Sequence, residues 1–204
     1  FIHLEAISNL LELLRKNKAE VIKFQRFLVY PDGSEKKVQA VHEERLSFCV
    51  ETNFIWYFKN IIKSTVWDAI YKKQLVYDIE FEEGKLHEDH FFTPRVLANA
   101  TSVMVIPDCL YYYRQQRPGS IMAKFTLGRV DVVQATLRIK QLLVAAGLEK
   151  KLASYYRKRL RRYTFMTLRW AWSGEKMLIP LVLLRLVSLY LQTLLFEKTY
   201  GPPK

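Results

Sequence analysis

The hydrophobic pattern changes partway along this chain, and that change limits the folds that the chain can adopt. In the first 120 residues, alternating apolar stretches that predict strands are mixed with segments of helical spacing. From about residue 127 onward the spacing is helical only, which predicts helices over 128–146, 149–171 and 176–197. The sequence therefore predicts an α/β region followed by a C-terminal three-helix segment.

Local signals place the elements of the first region. The predicted helices cover residues 4–17, 43–63, 64–80 and about 88–100. The predicted strands cover residues 21–30, 102–106 and 111–113, the second being ended by Pro107. Between the first strand and a polar extended arm lies Pro31-Asp32-Gly33-Ser34, which predicts a turn because Pro presets φ, Asp caps the turn and Gly adopts a positive φ.

The positive charge of the chain is confined to its second half. Residues 1–102 carry 14 basic and 15 acidic side chains, whereas residues 103–204 carry 18 basic and 5 acidic side chains. Such an excess attracts anionic partners, namely nucleic acid, an acidic membrane face or phosphorylated ligands. Cys49 and Cys109 form no Cys-x-x-Cys motif and no disulfide framework, which favours a reducing compartment.

The densest group of ionisable residues is His87-Glu88-Asp89-His90. One interpretation is structural, because carboxylates in the first turn of a helix interact favourably with its unpaired N–H groups and its positive dipole end. A second is catalytic, because a carboxylate held there can take a proton from an alcohol. A metal site through His87, His90 and a carboxylate is disfavoured, because adjacent ligands rarely form a compact tetrahedral site and no distant Cys or His pair completes it.

A second candidate site is the segment of residues 114–120. Arg114 and Arg117 are suited to paired hydrogen bonds with a phosphate, and Gly119 lets the backbone approach an anion closely. Gln116 and Ser120 add an amide and a hydroxyl to the same segment. The alternative interpretation is a solvated turn after a strand.

Three blocks of sequence, taken in order, resemble the later half of a family 2 glycosyltransferase, of the bacterial type that builds capsule, lipopolysaccharide or other surface glycans. The blocks are Val66-Trp67-Asp68-Ala69-Ile70-Tyr71-Lys72, residues 81–92 and residues 106–121. Their order and the gaps between them match the family. The resemblance covers about residues 1–125, and residues 126–204 resemble only the variable, basic helical tails of these enzymes.

The resemblance implies a fold and a reaction. The fold is GT-A, an α/β sandwich built around a mostly parallel sheet. The reaction moves a sugar from a nucleotide diphosphate donor to an acceptor hydroxyl, with inversion at the anomeric carbon. In this scheme Asp89 matches the catalytic base and Glu88 supports it.

The resemblance also implies substrate-binding residues. Arg117, with Arg114 and Gln116, would face the donor diphosphate or the acceptor and stabilise the charge that develops on the leaving group. Ser120 belongs to the same binding segment. Trp67 and His87 would lie near the acceptor cleft, although a Trp among apolar residues at helical spacing is also typical of a core position.

The chain departs from the family at its start. Members of the family begin with a strand–loop–helix unit that holds the nucleotide, followed by an Asp-x-Asp motif for a divalent metal, Mg²⁺ or Mn²⁺. The resemblance places both upstream of Phe1, so we expect a C-terminal piece of a longer enzyme, or a truncated gene product, with little activity by itself. The alternative function is a non-catalytic, membrane-associated remnant or binding module.

The tail combines basic and apolar segments. Residues 150–169 contain eight basic and no acidic side chains, and residues 177–196 are nearly all aliphatic. Arg185 at the centre of a membrane span would cost about 2.5–3.5 kcal/mol, and Arg185, Ser188 and Gln192 form a polar stripe. This pattern favours an amphipathic helix over a span. The helix either closes the core of the domain or lies in the interface of an anionic membrane.

These patterns together predict the partners and the location. The expected partners are a nucleotide-sugar donor, a glycan or lipid-linked acceptor and an anionic membrane surface. Nucleic acid is not favoured, because no helix-turn-helix, RNP or zinc pattern accompanies the basic residues. The expected location is cytoplasmic, at the inner face of the cell membrane.

Overall fold

The computed structural model describes residues 1–117, 119–120 and 124–200, with side chains up to residue 194. The chain forms two compact units. Unit 1 comprises Phe1–Glu80 and Arg95–Ser120, and unit 2 comprises Phe81–Pro94 and Ile121–Lys204. The domain boundary expected near residue 125 stays a prediction, and the structure adds that residues 81–94 pack with the helical part of the chain.

Unit 1 is an α/β unit with a five-stranded sheet. Its strands are β1 (Val21–Val29), β2 (Glu35–Val38), β3 (Arg45–Ser47), β4 (Ala69–Tyr71) and β5 (Val103–Arg114). Its helices are α1 (Ala6–Asn17), α2 (Val50–Phe58), α3 (Lys73–Val76) and the second half of α4 (Glu88–Asn99).

The sheet of unit 1 is organised around β1. One edge of β1 pairs with β5, and its other edge pairs with β4 along its first residues and with β2 along its last. β3 pairs with the far edge of β5. Among the described strand pairs only β1–β5 is parallel, so the sheet of this chain differs from the mostly parallel sheet that the resemblance implies for the complete family fold. The β1–β2 hairpin and the short edge strands β3 and β4 make the sheet mixed.

The turn between β1 and β2 has the predicted geometry. Gly33 has a φ of +81°, a backbone conformation that residues with a Cβ atom rarely adopt. The Asp32 carboxylate accepts the Ser34 N–H at 2.9 Å, and the Tyr30 N–H bonds to the Ser34 carbonyl at 2.9 Å. The turn therefore closes a tight antiparallel hairpin.

β5 is one strand where the sequence predicted two. Between two paired positions β1 advances from Lys23 to Gln25, while β5 advances from Val105 to Cys109. The extra residues of this bulge include Pro107, which has no N–H to donate to a sheet. The side-chain amide of Gln25 donates to the carbonyl of the residue before Pro107 at 2.9 Å. The side chain thus takes over a backbone hydrogen bond, and the strand continues past the proline.

Two helical predictions in unit 1 are wrong in part. Residues 43–63 contain β3 before α2, and residues 64–80 contain β4 before the single turn of α3. Both short strands pair antiparallel with a longer neighbour, β3 with β5 and β4 with β1. Their conformation follows from hydrogen bonding to a sheet edge, which local periodicity does not reveal.

The core of unit 1 joins α1 to the sheet. The buried side chains are apolar and come from α1, β1, β5 and the α1–β1 connection: Ala6, Leu10, Ala19, Ile22, Phe24, Met104, Ile106 and Leu110. α2 is anchored by Asn53, which is fully buried and donates to the carbonyls of Leu97 at 3.4 Å and Ala100 at 3.1 Å.

Unit 2 is helical. It contains the first half of α4, a 3₁₀ turn at Leu127–Val130, α5 (Asp131–Ala145), α6 (Ala153–Ser173) and α7 (Ile179–Tyr200). The three predicted C-terminal helices are therefore present, with small shifts at their ends. Their shared core is apolar and consists of Val130, Val132, Val133, Leu137, Ala171, Val182, Leu186 and Leu189. One face of α7 lies in this core.

Candidate functional site

The predicted catalytic residues lie where α4 begins, in unit 2. Glu88 and Asp89 occupy the first turn of the helix, and His87 precedes it with a φ of +60°. Glu88 is exposed and Asp89 is half-buried. Because the first N–H groups of a helix have no partner within it, they and the helix dipole favour ionised carboxylates here. Asp89 therefore lies at the end of the helix that interacts favourably with carboxylates.

Aromatic side chains of α6 enclose the two imidazoles of this cluster. His87 stacks on Trp170 with ring centroids 6.5 Å apart, and His90 meets Tyr163 edge to face at 5.3 Å. Burial lowers the pKa of His90 well below the usual 6.5, and the charge of Arg159 acts in the same direction. Burial also lowers the pKa of His87. Both imidazoles are therefore neutral at pH 7.

The cluster offers one possible set of metal ligands. The ligand atoms of His87, Asp89 and His90 lie within 4.8 Å of one another. Two neutral imidazoles and one carboxylate suit a borderline cation such as Zn²⁺ better than Mg²⁺, which prefers oxygen ligands. The positive end of α4 and the charge of Arg159 both oppose a cation at this place. The three residues are therefore poorly suited to bind Mg²⁺ or Mn²⁺. They do not replace the metal ligands that the resemblance places upstream of Phe1.

A buried carboxylate that the sequence analysis missed holds the segment leading into α4. Asp131, the first residue of α5, is 1% exposed and accepts the Leu86 N–H at 3.1 Å. The same carboxylate pairs with Lys85 at 3.6 Å and with Arg185 of α7 at 2.6 Å. Asp131 thus ties the residues just before His87 to both α5 and α7. Arg185 within an apolar helix was the available signal, because a cation among apolar side chains is stabilised by an anionic partner.

In unit 1, Trp67 lies in the turn before β4, and not in the predicted helix. Its ring stacks on Tyr111 at 4.4 Å and on Tyr113 at 4.8 Å, and the guanidinium of Arg26 lies 5.2 Å from its ring centroid. The two tyrosines are two residues apart on β5 and so share one face of the sheet. The structure thus places Trp67 beside the end of β5 that carries Arg114.

The turn that carries Trp67 is anchored by a buried ionic group, which the sequence analysis also missed. Asp68 and Lys23 are each 2% exposed and form an ion pair. Asp68 also accepts a hydrogen bond from Arg26 at 3.2 Å and one from the Thr65 hydroxyl, and the Lys23 ammonium donates to the Thr65 carbonyl at 2.5 Å. These bonds connect the turn to β1 and so set the position of Trp67.

The predicted anion-binding segment follows β5 in unit 1. The side chains of Arg114, Gln116 and Arg117 are exposed, and Ser120 is half-buried. Gln116 has a φ of +51°, and the Ser120 N–H bonds to the Arg117 carbonyl at 3.2 Å. Exposed guanidinium groups at a strand end can reach an anionic ligand, so their role toward a diphosphate stays a prediction. Residues 118 and 121–123 lie outside the described residues.

This chain is similar to known proteins in structure. No protein-family model matches this sequence, and no curated protein matches it. The crystal structure of S. aureus TarS 1-349 in complex with UDP-GlcNAc is similar, with a TM-score of 0.54, 15% sequence identity and coverage of 89% of this chain. A second crystal structure of S. aureus TarS 1-349 has a TM-score of 0.45 and 14% identity over 80% of this chain and 61% of that chain.

The chain has a glycosyltransferase-like fold. The first match confirms the predicted fold class, a partial GT-A-like α/β structure followed by C-terminal helices. This chain spans 59% of the length of that TarS structure. At 15% identity the likeness concerns the fold, so the roles of Asp89, Glu88 and the other predicted site residues stay predictions.

Proposed function

We propose that this chain belongs to an inverting glycosyltransferase that uses a nucleotide-sugar donor. The fold supports this proposal, and the similar TarS structure is a complex with UDP-GlcNAc. We further propose that the acceptor is a glycan or a lipid-linked glycan of cell-surface polysaccharide synthesis, because the three sequence blocks resemble enzymes of that kind. The observation that carries the proposal is the position of Asp89, a half-buried carboxylate in the first turn of α4.

In the proposed reaction Asp89 accepts the proton of the acceptor hydroxyl. The acceptor oxygen then forms a bond to the anomeric carbon from the side opposite the leaving group, and the bond from that carbon to the diphosphate oxygen breaks. In the first turn of α4, Asp89 lies near the positive end of the helix dipole, which interacts favourably with a carboxylate. Glu88, beside it in the same turn, would support its orientation.

Arg114 and Arg117 have a separate role in this proposal. The leaving nucleoside diphosphate gains negative charge as its bond to the sugar breaks, and guanidinium groups placed near it stabilise that charge. Gln116 and Ser120 would add hydrogen bonds from the same segment, and Trp67 and His87 would contact the acceptor. A role in donor binding predicts that the arginines act mainly on donor affinity and on the departure of the diphosphate.

The base assignment is tested by Asp89→Asn in the full-length native protein. Release of nucleoside diphosphate is measured with a panel of nucleotide sugars and with glycan and lipid-linked acceptors. We expect kcat to fall by about 10²–10⁴-fold, with little change in donor KM. Asp108→Asn, which neutralises an exposed carboxylate on β5, is the matched control and should retain activity. Near-normal turnover by the Asp89→Asn protein would exclude Asp89 as the base.

The donor-binding role is tested by Arg114→Gln combined with Arg117→Gln. We expect a higher donor KM and a lower kcat. The double substitution removes two positive charges that would bind the donor diphosphate and stabilise the leaving group. Lys36→Gln combined with Lys37→Gln removes the same charge from exposed positions on β2 and serves as the control. Equal effects of the two double substitutions would mean that only net charge matters.

A further inference from the structure

Up to residue 194, where its side chains are described, α7 is apolar on two faces, and one of these faces is covered in unit 2. Val182, Leu186 and Leu189 lie in the helical core. The opposite face carries a row of aliphatic side chains that are each between 49% and 66% exposed: Leu181, Leu184, Val187, Leu191 and Leu194. Their helical spacing places them in one continuous stripe, here called the α7 stripe. Contiguous exposed apolar surface of this kind marks a site of interaction.

The neighbouring helix α6 carries a basic and aromatic stripe on its exposed face. Positions at intervals of three or four residues point away from the core of unit 2, and they are Lys158, Arg162, Phe165, Arg169 and Trp172. Phe165 is 66% exposed and Trp172 is 64% exposed. This α6 stripe therefore combines three cations with two large aromatic side chains in solvent.

The α6 stripe ends beside the residues that lead into α7. The Lys176 ammonium lies 5.5 Å from the centroid of the Trp172 ring, and Met177 beside it is 90% exposed. The helices are also joined further along, where the hydroxyls of Thr164 and Tyr190 lie 3.0 Å apart. The hairpin of α6 and α7 thus presents exposed aliphatic, aromatic and basic groups, a combination typical of helices that lie in a membrane interface.

The contacts of α7 favour surface docking over a membrane span. Lys176–Leu194 is long and apolar enough to cross a membrane, by length and composition, and 17% of this stretch is buried in the protein. Crossing would separate Arg185 from the buried Asp131 and remove Val182 and Leu186 from the helical core. Docking of the exposed face leaves each of these contacts in place.

We propose that the α6–α7 hairpin docks unit 2 on an anionic lipid surface. The α7 stripe enters the boundary between headgroups and acyl chains, and the cations of the α6 stripe contact the headgroups. A second copy of the chain is a poorer occupant, because it would bring Lys158, Arg162 and Arg169 of two copies toward each other. The proposal concerns lipid binding alone and holds whether or not the proposed sugar transfer takes place.

The test is flotation of the 204-residue chain with phosphatidylglycerol-rich vesicles and with pure phosphatidylcholine vesicles. We expect salt-sensitive binding to the anionic vesicles only. Arg162→Gln with Arg169→Gln should weaken it by about 30-fold, since each basic residue near an anionic leaflet contributes about a factor of five in affinity. Leu184→Gln with Leu191→Gln should weaken it by about tenfold or more, because two exposed side chains lose their transfer out of water.

Matched controls lie in unit 1. Lys36→Gln with Lys37→Gln removes two exposed charges, and Leu4→Gln changes a leucine that is 99% exposed, so both should bind like the unchanged chain. Circular dichroism melting should be the same for all variants, because every substituted side chain is exposed.

Three kinds of result would overturn the proposal. The first is equal loss of lipid binding in the α6 variant and its unit 1 control, or no binding by the unchanged chain. The second is a dimer in analytical ultracentrifugation that Leu184→Gln with Leu191→Gln converts to monomer without any effect on lipid binding, which would assign the α7 stripe to self-association. The third is resistance of the bound protein to extraction with alkaline carbonate, which would indicate a span.

Discussion

The carboxylate of Asp131 and the guanidinium of Arg185 lie 2.6 Å apart and connect α5 to α7 across 54 residues of sequence. The same carboxylate accepts the Leu86 N–H, so one buried charge organises both the helical core and the segment before the candidate base Asp89. Asp131 therefore both stabilises unit 2 and positions the segment that leads to the candidate base.

Asp131→Asn should lower the free energy of unfolding by about 3 kcal/mol, because it leaves two cations beside a buried position without their anionic partner. Denaturant unfolding followed by circular dichroism measures this change. The control is Arg138→Gln, which breaks the more exposed pair with Glu82 and should cost less than about 1 kcal/mol. Equal losses in the two variants would contradict the dominant role of Asp131.

Asp68→Asn should destabilise unit 1 by about 3–5 kcal/mol, because the buried ammonium of Lys23 would lose its charged partner. The exposed carboxylate of Asp108 provides the comparison, since Asp108→Asn should change stability by less than about 0.5 kcal/mol. The near-ultraviolet circular dichroism of Asp68→Asn should also change if the turn holding Trp67 loosens. A stable variant with an unaltered spectrum would refute the anchoring role.

Stability should fall with acid through His90. Burial holds its folded-state pKa well below the value of about 6.5 in the unfolded chain, so the unfolded state binds the proton first. This contribution is fully present above pH 6.5 and declines as pH falls toward the lowered pKa, by at most about 1.4 kcal/mol per pH unit. Unfolding measured from pH 8 to pH 5 tests this dependence.

The matching variants for this pH series are His90→Gln and His42→Gln. The first should flatten the dependence on pH, although the lowered pKa of His87 leaves a smaller slope in the same direction. The second replaces an exposed imidazole and should leave the slope unchanged. An unchanged slope in His90→Gln would mean that other groups account for the loss in acid.

Gly128→Ala should destabilise unit 2 by about 1–3 kcal/mol. A Cβ at this position would lie 2.8 Å from the Cδ1 and Cγ atoms of Leu86, which is too close for any carbon contact. Leu86→Ala combined with Gly128→Ala removes the clash, so the double variant should lose less than the sum of the two single losses. If the two losses of stability add up in the double variant, the clash with Leu86 is not the cause of the destabilisation by Gly128→Ala.

The sequence predicted elements whose signals are local. Helix α4 begins at Glu88 as expected, because carboxylates in a first turn are a local signal of a helix start. The turn at Gly33 was predictable for the same reason, since its positive φ is a property of one residue. The position of Asp89 in the candidate site follows directly from that helix start.

The environment of the candidate site was not predictable in this way. The lowered pKa of His90 results from burial against α6, and its contact with Tyr163 joins residues far apart in sequence. The ionic groups around Asp68 and Asp131 also join distant segments. A charged residue in an apolar segment indicates that a partner of opposite charge is needed. The sequence alone does not identify the residue that provides this partner.

By itself the sequence determined the order of strands and helices over most of the chain, the helical nature of residues 128–197 and the charge of its second half, because periodicity and composition act over neighbouring residues. Only the tertiary structure decided that β5 continues past Pro107 and that residues 45–47 form a strand. It also decided which face of α7 is covered and which is exposed. These outcomes depend on hydrogen bonds and packing between distant segments, whose free energies outweigh local preference.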